Sequence, residues 1–326
     1  MSLRIVQPGF FSTVQDLGRI GFQSNGVSVA GAIDTFAHRV ANILVGNDEN
    51  AATIEMTLKG GSYEFQEDTV FSICGADLTP ELNGNPIGCW RPFIAEKGSL
   101  LSFWRRTSGF RTYLAVSGGF AVSQILGSSS TDIKAKLGGL DGRTLQKEDR
   151  LSFGPSSDLS KKIFASRQSS RKWRISPEVL KFYENRHCIR FLQGREYNLF
   201  SSDSRSIFTS SDFTISNQAD RMGYRLNGSE MKLDRPQEMI SAAVTFGTIQ
   251  VPSDGRPIIL MADHQTIGGY PKIAQIVSVD LPILAQMMPG ESLRFQSITL
   301  SEAQRLFLKR EVLISVLKKQ IEMMYR

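Results

Sequence analysis

Short segments of β-forming residues, separated by turn signals, run through the first half of this chain and restrict its fold. Many of their side chains are β-branched or aromatic, and the segments are residues 62–65, 69–74, 100–104 and 111–116. Asn83-Gly84 and Gly118-Gly119 mark turns between them. Strands that follow one another without regular intervening helices favour a barrel or sandwich over alternating strand and helix. The pattern therefore predicts a mainly β protein with few helices.

Two helices are predicted within this β pattern. Asp34 can cap the first, apolar side chains recur at positions 36, 40, 43 and 44, and Gly46 can end it. The second is predicted from Ser301 onward, because leucine and isoleucine side chains recur there at helical spacing.

The second half of the chain resembles the first, and this sets the predicted domain organisation. Strands are predicted at residues 189–192, 206–208, 212–215, 240–244 and 248–251. A strand followed by a glycine pair occurs in both halves, as YLAVSGGF (113–120) and ILMADHQTIGGY (259–270). An internal duplication would give one β-barrel per half. We predict barrel domains over residues 1–154 and 189–300, a basic linker over 155–188 and a helix over 301–326.

Composition and charge exclude several classes of protein. The chain has 326 residues, with 41% hydrophobic and 21% charged residues, which are globular values. Its net charge is +6, and residues 161–195 hold ten Lys or Arg against two Glu. That stretch matches no nucleic-acid reader, so we expect no nucleic acid partner. A solvated linker is the favoured interpretation of the stretch, and docking of an acidic protein is the alternative.

Neither a metal site nor a membrane segment is expected. The three cysteines and three histidines lack the spacing of metal ligands. No apolar run approaches the roughly 20 residues of a membrane helix, and no secretory signal is visible. These features predict a cytoplasmic protein.

Residues 257–272, PIILMADHQTIGGYPK, join an apolar strand to an unusually polar turn. The polar turn and its glycine pair comprise Asp263, His264, Gln265, Thr266, Gly268, Gly269, Tyr270 and Lys272. An ordinary turn needs only Gly, Asn, Asp or Pro. We interpret the motif as one wall of a functional site. The alternative is a turn whose polar side chains satisfy their own backbone.

Two further polar clusters support this interpretation. Residues 12–34 place Gln15, Asp16, Arg19 and Asp34 among four glycines, which allow close approach of backbone N–H groups to a ligand. An Asp16–Arg19 ion pair that fixes a loop is the alternative. Residues 220–226 hold a second cluster, which consists of Asp220, Arg221, Tyr224 and Arg225. Arginine forks suit carboxylate, carbamate or phosphate groups, although a turn held by an Asp–Arg pair would need the same residues.

Together these motifs resemble one family, the biotin-dependent carboxyltransferases also called allophanate hydrolase subunit 2. The matching pieces include TVQDLGRIGFQSNGV, GAIDTFAHRVANILVGN, SDFTISNQADRMGYRLNG and PSDGRPIILMADHQTIGGYPK. The resemblance runs from about Val6 to Phe295 and leaves out the linker and the last helix. The family includes KipA-like proteins and the C subunit of bacterial 5-oxoprolinase.

The resemblance implies a fold, partners and an activity. The implied fold is two cyclophilin-like β-barrel subdomains. The implied partners are a sister subunit, allophanate hydrolase subunit 1 or KipI-like, and a further 5-oxoprolinase subunit. The implied activity is ATP-dependent opening of 5-oxoproline to glutamate, with ATP bound in the complex.

Two alternatives stay open. One is biotin-dependent carboxyl transfer to urea or another small amide, with biotin on a separate chain because no biotin attachment sequence is present. The other is a KipA-like regulatory binding protein.

For lactam opening we assign catalysis to Asp263, His264 and Asp220, as groups able to take up a proton or position water. Substrate binding is assigned to the remaining polar and glycine residues of the three clusters. These are Gln15, Asp16, Arg19, Asp34, Arg221, Tyr224, Arg225, Gln265, Thr266, Gly268, Gly269, Tyr270 and Lys272.

The sequence departs from the family pattern at positions that matter for anion binding. Ser129 stands where the family usually has arginine in its GSRSTD motif. His264 and Ile267 replace the arginine and threonine of ADRQTTGG. Loss of two guanidinium groups predicts weaker anion binding, a changed substrate or a non-catalytic member.

Overall fold

The computed structural model describes residues 2–166, 174–184 and 187–325, and the chain divides into two compact units. Unit 1 contains the residues up to Arg19, Ala30–Val179 and the residues from Val312 onward. Unit 2 contains Ile20–Val29 and Leu180–Glu311. The change from unit 1 to unit 2 at Val179 therefore falls inside the stretch predicted as a linker, part of which lies outside the described residues.

Unit 1 is built from antiparallel strands and short helices. Its strands are β1 (Ser2–Gln7), β2 (Phe11–Gln15), β3 (Thr53–Thr57), β4 (Ser62–Phe65), β5 (Thr69–Asp77), β6 (Pro80–Leu82), β7 (Asn85–Pro86), β8 (Pro92–Ala95), β9 (Leu100–Phe103), β10 (Ser108–Val116) and β11 (Arg150–Ser152). Its helices are α1 (Thr35–Leu44) and α2 (Asp158–Ala165), and α3 (Pro177–Leu180) follows at the unit boundary. One sheet has the order β11-β1-β4-β9-β6-β7 and the other the order β2-β3-β10-β5-β8.

Strand alternation in unit 1 separates an apolar core from a buried polar layer. Ile54 and Met56 of β3 join a core to which both sheets contribute. The alternate residues of β3, Thr53, Glu55 and Thr57, point to the opposite face of the sheet and are also buried. Helix α1 packs on β5 and β10 of this sheet. The side chain of Asp34 accepts a hydrogen bond from Ala37 N at 2.9 Å, which confirms the predicted cap.

Unit 2 is built around a closed barrel. Its strands are β12 (Cys188–Gln193), β13 (Phe213–Ile215), β14 (Gly223–Asn227), β15 (Ala242–Ala243), β16 (Thr248–Gln250), β17 (Ile258–Leu260), β18 (Ile267–Gly268), β19 (Lys272–Ile276) and β20 (Ser292–Ser297). Its helices are α4 (Ser202–Ser210), α5 (Leu281–Ala285) and the first part of α6 (Leu300–Met324). Short 3-10 helices lie at Gln23–Asn25, Lys181–Glu184 and Tyr197–Leu199.

The barrel closes through a pairing between strands far apart in sequence. Its order is β12-β19-β16-β17-β14-β13-β20, and β12 pairs with β20 in parallel to complete it. Four phenylalanines, Phe191, Phe208, Phe213 and Phe295, form an aromatic cluster in which the rings of Phe208 and Phe295 stack at 4.5 Å. Strands β15 and β18 form a separate two-stranded ribbon.

The mainly β fold is confirmed, and two predicted strands need correction. Residues 206–208 lie in α4, not in a strand, because Ser201 caps a helix there and Phe208 is buried on one helical face. The strand predicted over 240–244 is reduced to Ala242–Ala243. Unit 2 has the predicted barrel, while the strands of unit 1 form two sheets. None of the helices in the described ranges is long and apolar enough to cross a membrane.

Candidate functional site

An ion pair joins the turn after β17 to the turn before β14. Arg221 binds Asp263 through two bonds, Nε to Oδ2 and Nη2 to Oδ1, both 2.8 Å long. Both side chains are about 8% exposed. Backbone pairing reinforces this link, since Asp263 N donates to the carbonyl of Arg221 at 2.8 Å. The pair therefore joins two of the predicted clusters within unit 2.

The other members of the 220–226 cluster lie in the turn before β14 or on β14 itself, and they differ in burial. Asp220 is exposed and accepts hydrogen bonds from the amides of Met222 and Gly223, so it holds the turn through backbone groups. Tyr224 is 1% exposed and pairs with Ile259, whereas Arg225 is exposed. The structure thus places Tyr224 in the protein interior and Arg225 at the surface.

His264 is almost fully buried beside its own backbone. Its Nδ1 lies 2.5 Å from the carbonyl oxygen of Gln265, to which an Nδ1–H would donate. Burial lowers the pKa of His264 below its ordinary value, although Asp263 opposes that effect. The imidazole is therefore neutral at pH 7.

A side chain at either glycine of the motif would contact neighbouring side chains. Gly268 belongs to β18, which pairs with Ala242 of β15, and the carbonyl of Thr266 accepts a hydrogen bond from Val244 N. A Cβ at Gly268 would lie 2.8 Å from Oε1 of Gln250, and one at Gly269 would lie 3.2 Å from Oγ of Ser241. The half-buried Gln265 lies on the same side, with Nε2 3.7 Å from the Gly268 Cβ position.

A cavity of about 610 Å³ in unit 2 has this motif as one wall. Gly269, Tyr270 and Pro271 line it, and Tyr270 is 46% exposed. The remaining lining is mostly apolar and includes Phe200, Met231, Leu233, Pro236, Met239, Val251 and Pro252. Its size falls in the range of small-molecule sites. A cavity of about 630 Å³ in unit 1 contains none of the predicted residues.

Lys272 directly follows Pro271 of the cavity wall and is nearly buried. It is 9% exposed, and its Nζ donates a hydrogen bond to the carbonyl of Tyr270 at 3.3 Å. No ion pair of Lys272 occurs within the part of the chain that the structure describes. The carboxylate of Glu196 accepts a hydrogen bond from the backbone N–H of Lys272 at 3.1 Å. A buried ammonium that forms no ion pair of its own is costly, so this position suits an anionic ligand group.

In unit 1, Asp16 is bonded to a serine loop. Its carboxylate accepts hydrogen bonds from the hydroxyls of Ser128 and Ser130, from Ser129 N at 2.6 Å and from Gly18 N at 2.8 Å. Ser129, which stands where the family usually has arginine, therefore binds this carboxylate directly through its backbone N–H. The Asp16–Arg19 ion pair considered as an alternative is not formed, because each side chain has other partners.

Arg19 and Gln15 are fully buried in the same region. Arg19 donates to the carbonyls of Ile125 at 3.1 Å and Ser130 at 2.7 Å, while its Nη1 has no partner among the described residues. Gln15 donates to Thr13 and Thr131, and its Oε1 likewise has no partner in the described ranges. The structure thus brings Gln15, Asp16 and Arg19 together with the loop around Ser130.

Asp34 belongs to a different network, which the sequence interpretation missed. Its backbone N–H donates to the hydroxyl of Tyr113 at 2.8 Å, and that hydroxyl donates to Glu55 Oε2 at 2.6 Å. Ile33 N donates to the same carboxylate oxygen at 3.0 Å. Burial raises the pKa of Tyr113, so the phenol is protonated and can donate. The available signal was a glutamate between the apolar Ile54 and Met56 of the strand TIEMT.

His38 lies under the same sheet face. Its Nδ1 is 2.9 Å from the hydroxyl of Thr53, and its Nε2 is 3.4 Å from Nδ2 of Asn42. Complete burial lowers the pKa of His38 to about 4, against the opposing effects of Asp16 and Glu55. This histidine is therefore a neutral part of the polar layer. No group of three or more His, Cys, Asp or Glu able to hold a metal occurs in the described ranges.

A family model described as the carboxyltransferase domain, subdomain A and B, matches residues 25–297. The chain belongs to this family. The resemblance inferred from the motifs is thereby confirmed. The matched region contains every predicted site residue except Gln15, Asp16 and Arg19.

Two curated relatives match the chain almost end to end. The C subunit of a 5-oxoprolinase from Haemophilus influenzae is 39% identical over 311 residues, which are 95% of this chain and 96% of that protein. The C subunit of the 5-oxoprolinase from Escherichia coli is 40% identical over 301 residues, 92% of this chain and 93% of that protein. Among solved structures, the urea amidolyase of K. lactis is similar with a TM-score of 0.86 and 25% identity. That match covers 97% of this chain but 20% of the urea amidolyase chain.

Proposed function

We propose that this chain is a subunit of an ATP-dependent 5-oxoprolinase, which opens the lactam of 5-oxoproline to give glutamate. The observation that carries the proposal is the match to two proteins named as the C subunit of 5-oxoprolinase over more than nine-tenths of their lengths. The name of a subunit implies partners. We propose that these are a sister subunit of the allophanate hydrolase subunit 1 type and one further subunit.

Within unit 2, the geometry supports a binding site for a small carboxylate. The cavity beside Tyr270 has the size of a ligand site, and its mostly apolar lining also includes Lys232 and Glu238. The nearly buried Lys272 directly follows Pro271 of its wall in the chain. An apolar wall next to a cation suits a ring that carries one carboxylate, and 5-oxoproline is such a compound. We propose that its carboxylate binds Lys272.

Among the three proposed catalytic groups, His264 fits a general base best. Its lowered pKa leaves it neutral at pH 7, which a base requires. Asp263 is bound on both oxygens by Arg221, and Asp220 holds two backbone amides of its own turn. We therefore propose that Asp263 and Asp220 position the site around His264.

The cations of the three clusters do not fit a triphosphate. Arg221 is neutralised by Asp263, and the described donors of Arg19 bind carbonyl oxygens. The remaining cations, Lys272 and the exposed Arg225, do not match the charge of ATP. We propose that the nucleotide binds on another subunit of the complex.

Biotin-dependent carboxyl transfer to a small amide is the second candidate. The similarity to the K. lactis urea amidolyase over 97% of this chain favours it. Free carboxybiotin offered to the reconstituted complex with urea or 5-oxoproline as acceptor tests it. A carboxylated product would support transfer.

The proposed function is tested by omission. The complex is reconstituted from all of its subunits, and glutamate release and ATP hydrolysis are followed with and without this chain. We expect both products to depend on it. Unchanged turnover without the chain would refute the proposal and leave carboxyl transfer as the better candidate.

A further inference from the structure

Gln250, which belongs to none of the predicted clusters, is a buried polar side chain with an unsatisfied oxygen. It is the last residue of β16 and is 4% exposed. Its Oε1 has no hydrogen-bond partner within the described residues. A buried acceptor without a partner costs about 1–3 kcal/mol. An apolar side chain at this position would avoid that cost.

The residue paired with Gln250 carries a second uncompensated group. Backbone pairing of β16 with β19 places Gln250 directly opposite Lys272. The ammonium of Lys272 is nine-tenths buried with one long hydrogen bond and no ion pair in the described ranges. Two unfavourable polar groups therefore occur on facing residues of neighbouring strands. The oxygen of Gln250 needs a donor and the ammonium of Lys272 needs an acceptor or an anion, yet no hydrogen bond joins the two in the described ranges.

Packing around Gln250 provides a cover that is weakly held. Gly268 of β18 lies over the carboxamide, and Val244 approaches the same point. The ribbon that carries Gly268 consists of two residue pairs, Ala242 with Gly268 and Ala243 with Ile267. A ribbon this short is marginally stable on its own. Access of a ligand to the Gln250 carboxamide requires this ribbon to open.

The chemistry of these two groups identifies a ligand class. A lactam presents its N–H and C=O on one edge, as does urea. The carboxamide of Gln250 presents the complementary pair, and rotation about its last torsion exchanges the two at low cost. Lys272 can bind a carboxylate on the same compound.

We infer that Gln250 and Lys272 form a subsite for a small cyclic amide that carries a carboxylate. Gln250 recognises the amide edge and so determines specificity, while Lys272 binds the carboxylate. The inference rests on the proposed function, because 5-oxoproline has both groups. It adds a residue and a division of roles that the motifs did not contain.

Equilibrium binding to the nucleotide-free complex, reconstituted with the full chain, tests this subsite. The probes are 5-oxoproline, its N-methyl derivative, 2-pyrrolidinone and urea. The wild-type complex should bind 5-oxoproline at least about tenfold more tightly than the other three, since one lost hydrogen bond or ion pair at a buried site costs about 1.4 kcal/mol or more. Gln250→Leu should no longer distinguish the N-methyl derivative from 5-oxoproline. Lys272→Met should no longer distinguish 2-pyrrolidinone from 5-oxoproline.

A matched control is available on β19. Gln275 is satisfied on both sides, with Nε2 bound to the carbonyl of Phe246 at 2.9 Å and Oε1 bound by the hydroxyl of Thr248 at 2.8 Å. Gln275→Leu should lower the urea midpoint of unfolding yet keep the discrimination between probes. Gln250→Leu should leave that midpoint unchanged or raise it, because it removes an unsatisfied group.

Three outcomes would overturn the inference. The first is a Gln250→Leu complex that still discriminates against the N-methyl probe, as expected if the carboxamide binds only a trapped water. The second is a wild-type complex that binds none of the probes. The third is urea binding more tightly than 5-oxoproline. None of these depends on turnover, so the omission experiment judges the proposed function separately.

Discussion

Arg221 and Asp263 form a nearly buried ion pair with two hydrogen bonds of 2.8 Å, and this pair fixes the turn that carries His264. The two residues are 42 positions apart in the chain. Sequence interpretation assigned one to substrate binding and the other to catalysis. Because the two side chains bind each other, the main role of each is structural. Their contact positions the motif 257–272.

Replacement of one partner of this pair should destabilise unit 2 more than replacement of both. Asp263→Asn leaves the guanidinium of Arg221 nearly buried without its counter-ion, which we expect to cost about 3–5 kcal/mol. The double variant Arg221→Met/Asp263→Leu removes both charges and should recover most of that loss. Urea unfolding of the three proteins, followed by circular dichroism, measures the difference.

Equal stability of the single and double variants would contradict this account of the pair. Asp220→Asn serves as a control, since Asp220 is exposed and binds backbone amides. Its effect on the free energy of unfolding should be about 1 kcal/mol, the typical cost of losing a side-chain bond to a backbone amide.

Asp16→Asn should loosen the serine loop of unit 1. The carboxylate of Asp16 accepts hydrogen bonds from both the hydroxyls of Ser128 and Ser130 and the amides of Ser129 and Gly18. An amide has one oxygen in place of two and turns an NH₂ group toward donors, so we expect a loss of about 3 kcal/mol. Thermal or urea unfolding gives the value.

Asp48→Asn is the matched control for Asp16. Asp48 is exposed and accepts one hydrogen bond, from Asn50 N at 2.9 Å. Asp48→Asn should change the free energy of unfolding by no more than about 0.5 kcal/mol, as most surface substitutions do. A similar loss in both variants would show that the loop around Ser129 does not depend on the buried carboxylate.

The buried His38 should make stability fall in mild acid. Its folded pKa is about 4, below the unfolded value of about 6.5, so the unfolded chain binds more protons between these two pH values. The stabilisation is therefore complete above pH 6.5 and is lost as the pH falls from 6.5 toward 4. The loss should reach about 3 kcal/mol. His264 adds a contribution of the same sign, because burial also lowers its pKa.

Urea unfolding at pH 7 and pH 5 tests this dependence. His38→Gln should be less stable than wild type at pH 7 but should lose less stability between the two pH values. His187, which is exposed on the surface, provides the control as His187→Gln. If the His38 variant shows the full wild-type loss between pH 7 and pH 5, the imidazole of His38 is not its cause.

Local sequence signals predicted the elements that local interactions determine. Helix α1 follows from the Asp34 cap, apolar periodicity and Gly46, all within 13 residues of chain. Four of the eleven strands of unit 1, namely β4, β5, β9 and β10, follow from short β-branched or aromatic runs. The run at residues 206–208 misled the prediction, because the helix cap at Ser201 and the burial of Phe208 outweigh its β propensity.

Local sequence signals could not predict contacts between residues that are far apart in the chain. Barrel closure depends on the parallel pairing of Cys188 with Arg294, and no local pattern specifies a partner that far away. Asp16 finds its serine partners 112 or more positions later. The motifs correctly marked Asp16 and Arg221 as unusual, but only the folded structure shows what each binds. Gln250 carried no sequence signal, since an unsatisfied oxygen is a property of packing.

The glycine at position 138 should be required for its small size and not only for its backbone conformation. A Cβ there would lie 2.1 Å from the carbonyl oxygen of Ser130 and 2.6 Å from Nη2 of Arg19, so alanine must displace the buried loop. Gly127 offers a matched comparison, because its φ of +75° is similar to the +67° of Gly138 and a Cβ there meets nothing within 4 Å. Gly127→Ala should cost about 1 kcal/mol for its left-handed conformation, whereas Gly138→Ala should cost several times more. Urea unfolding of both variants isolates the steric part, and equal losses would show that Arg19 and Ser130 can move aside without penalty.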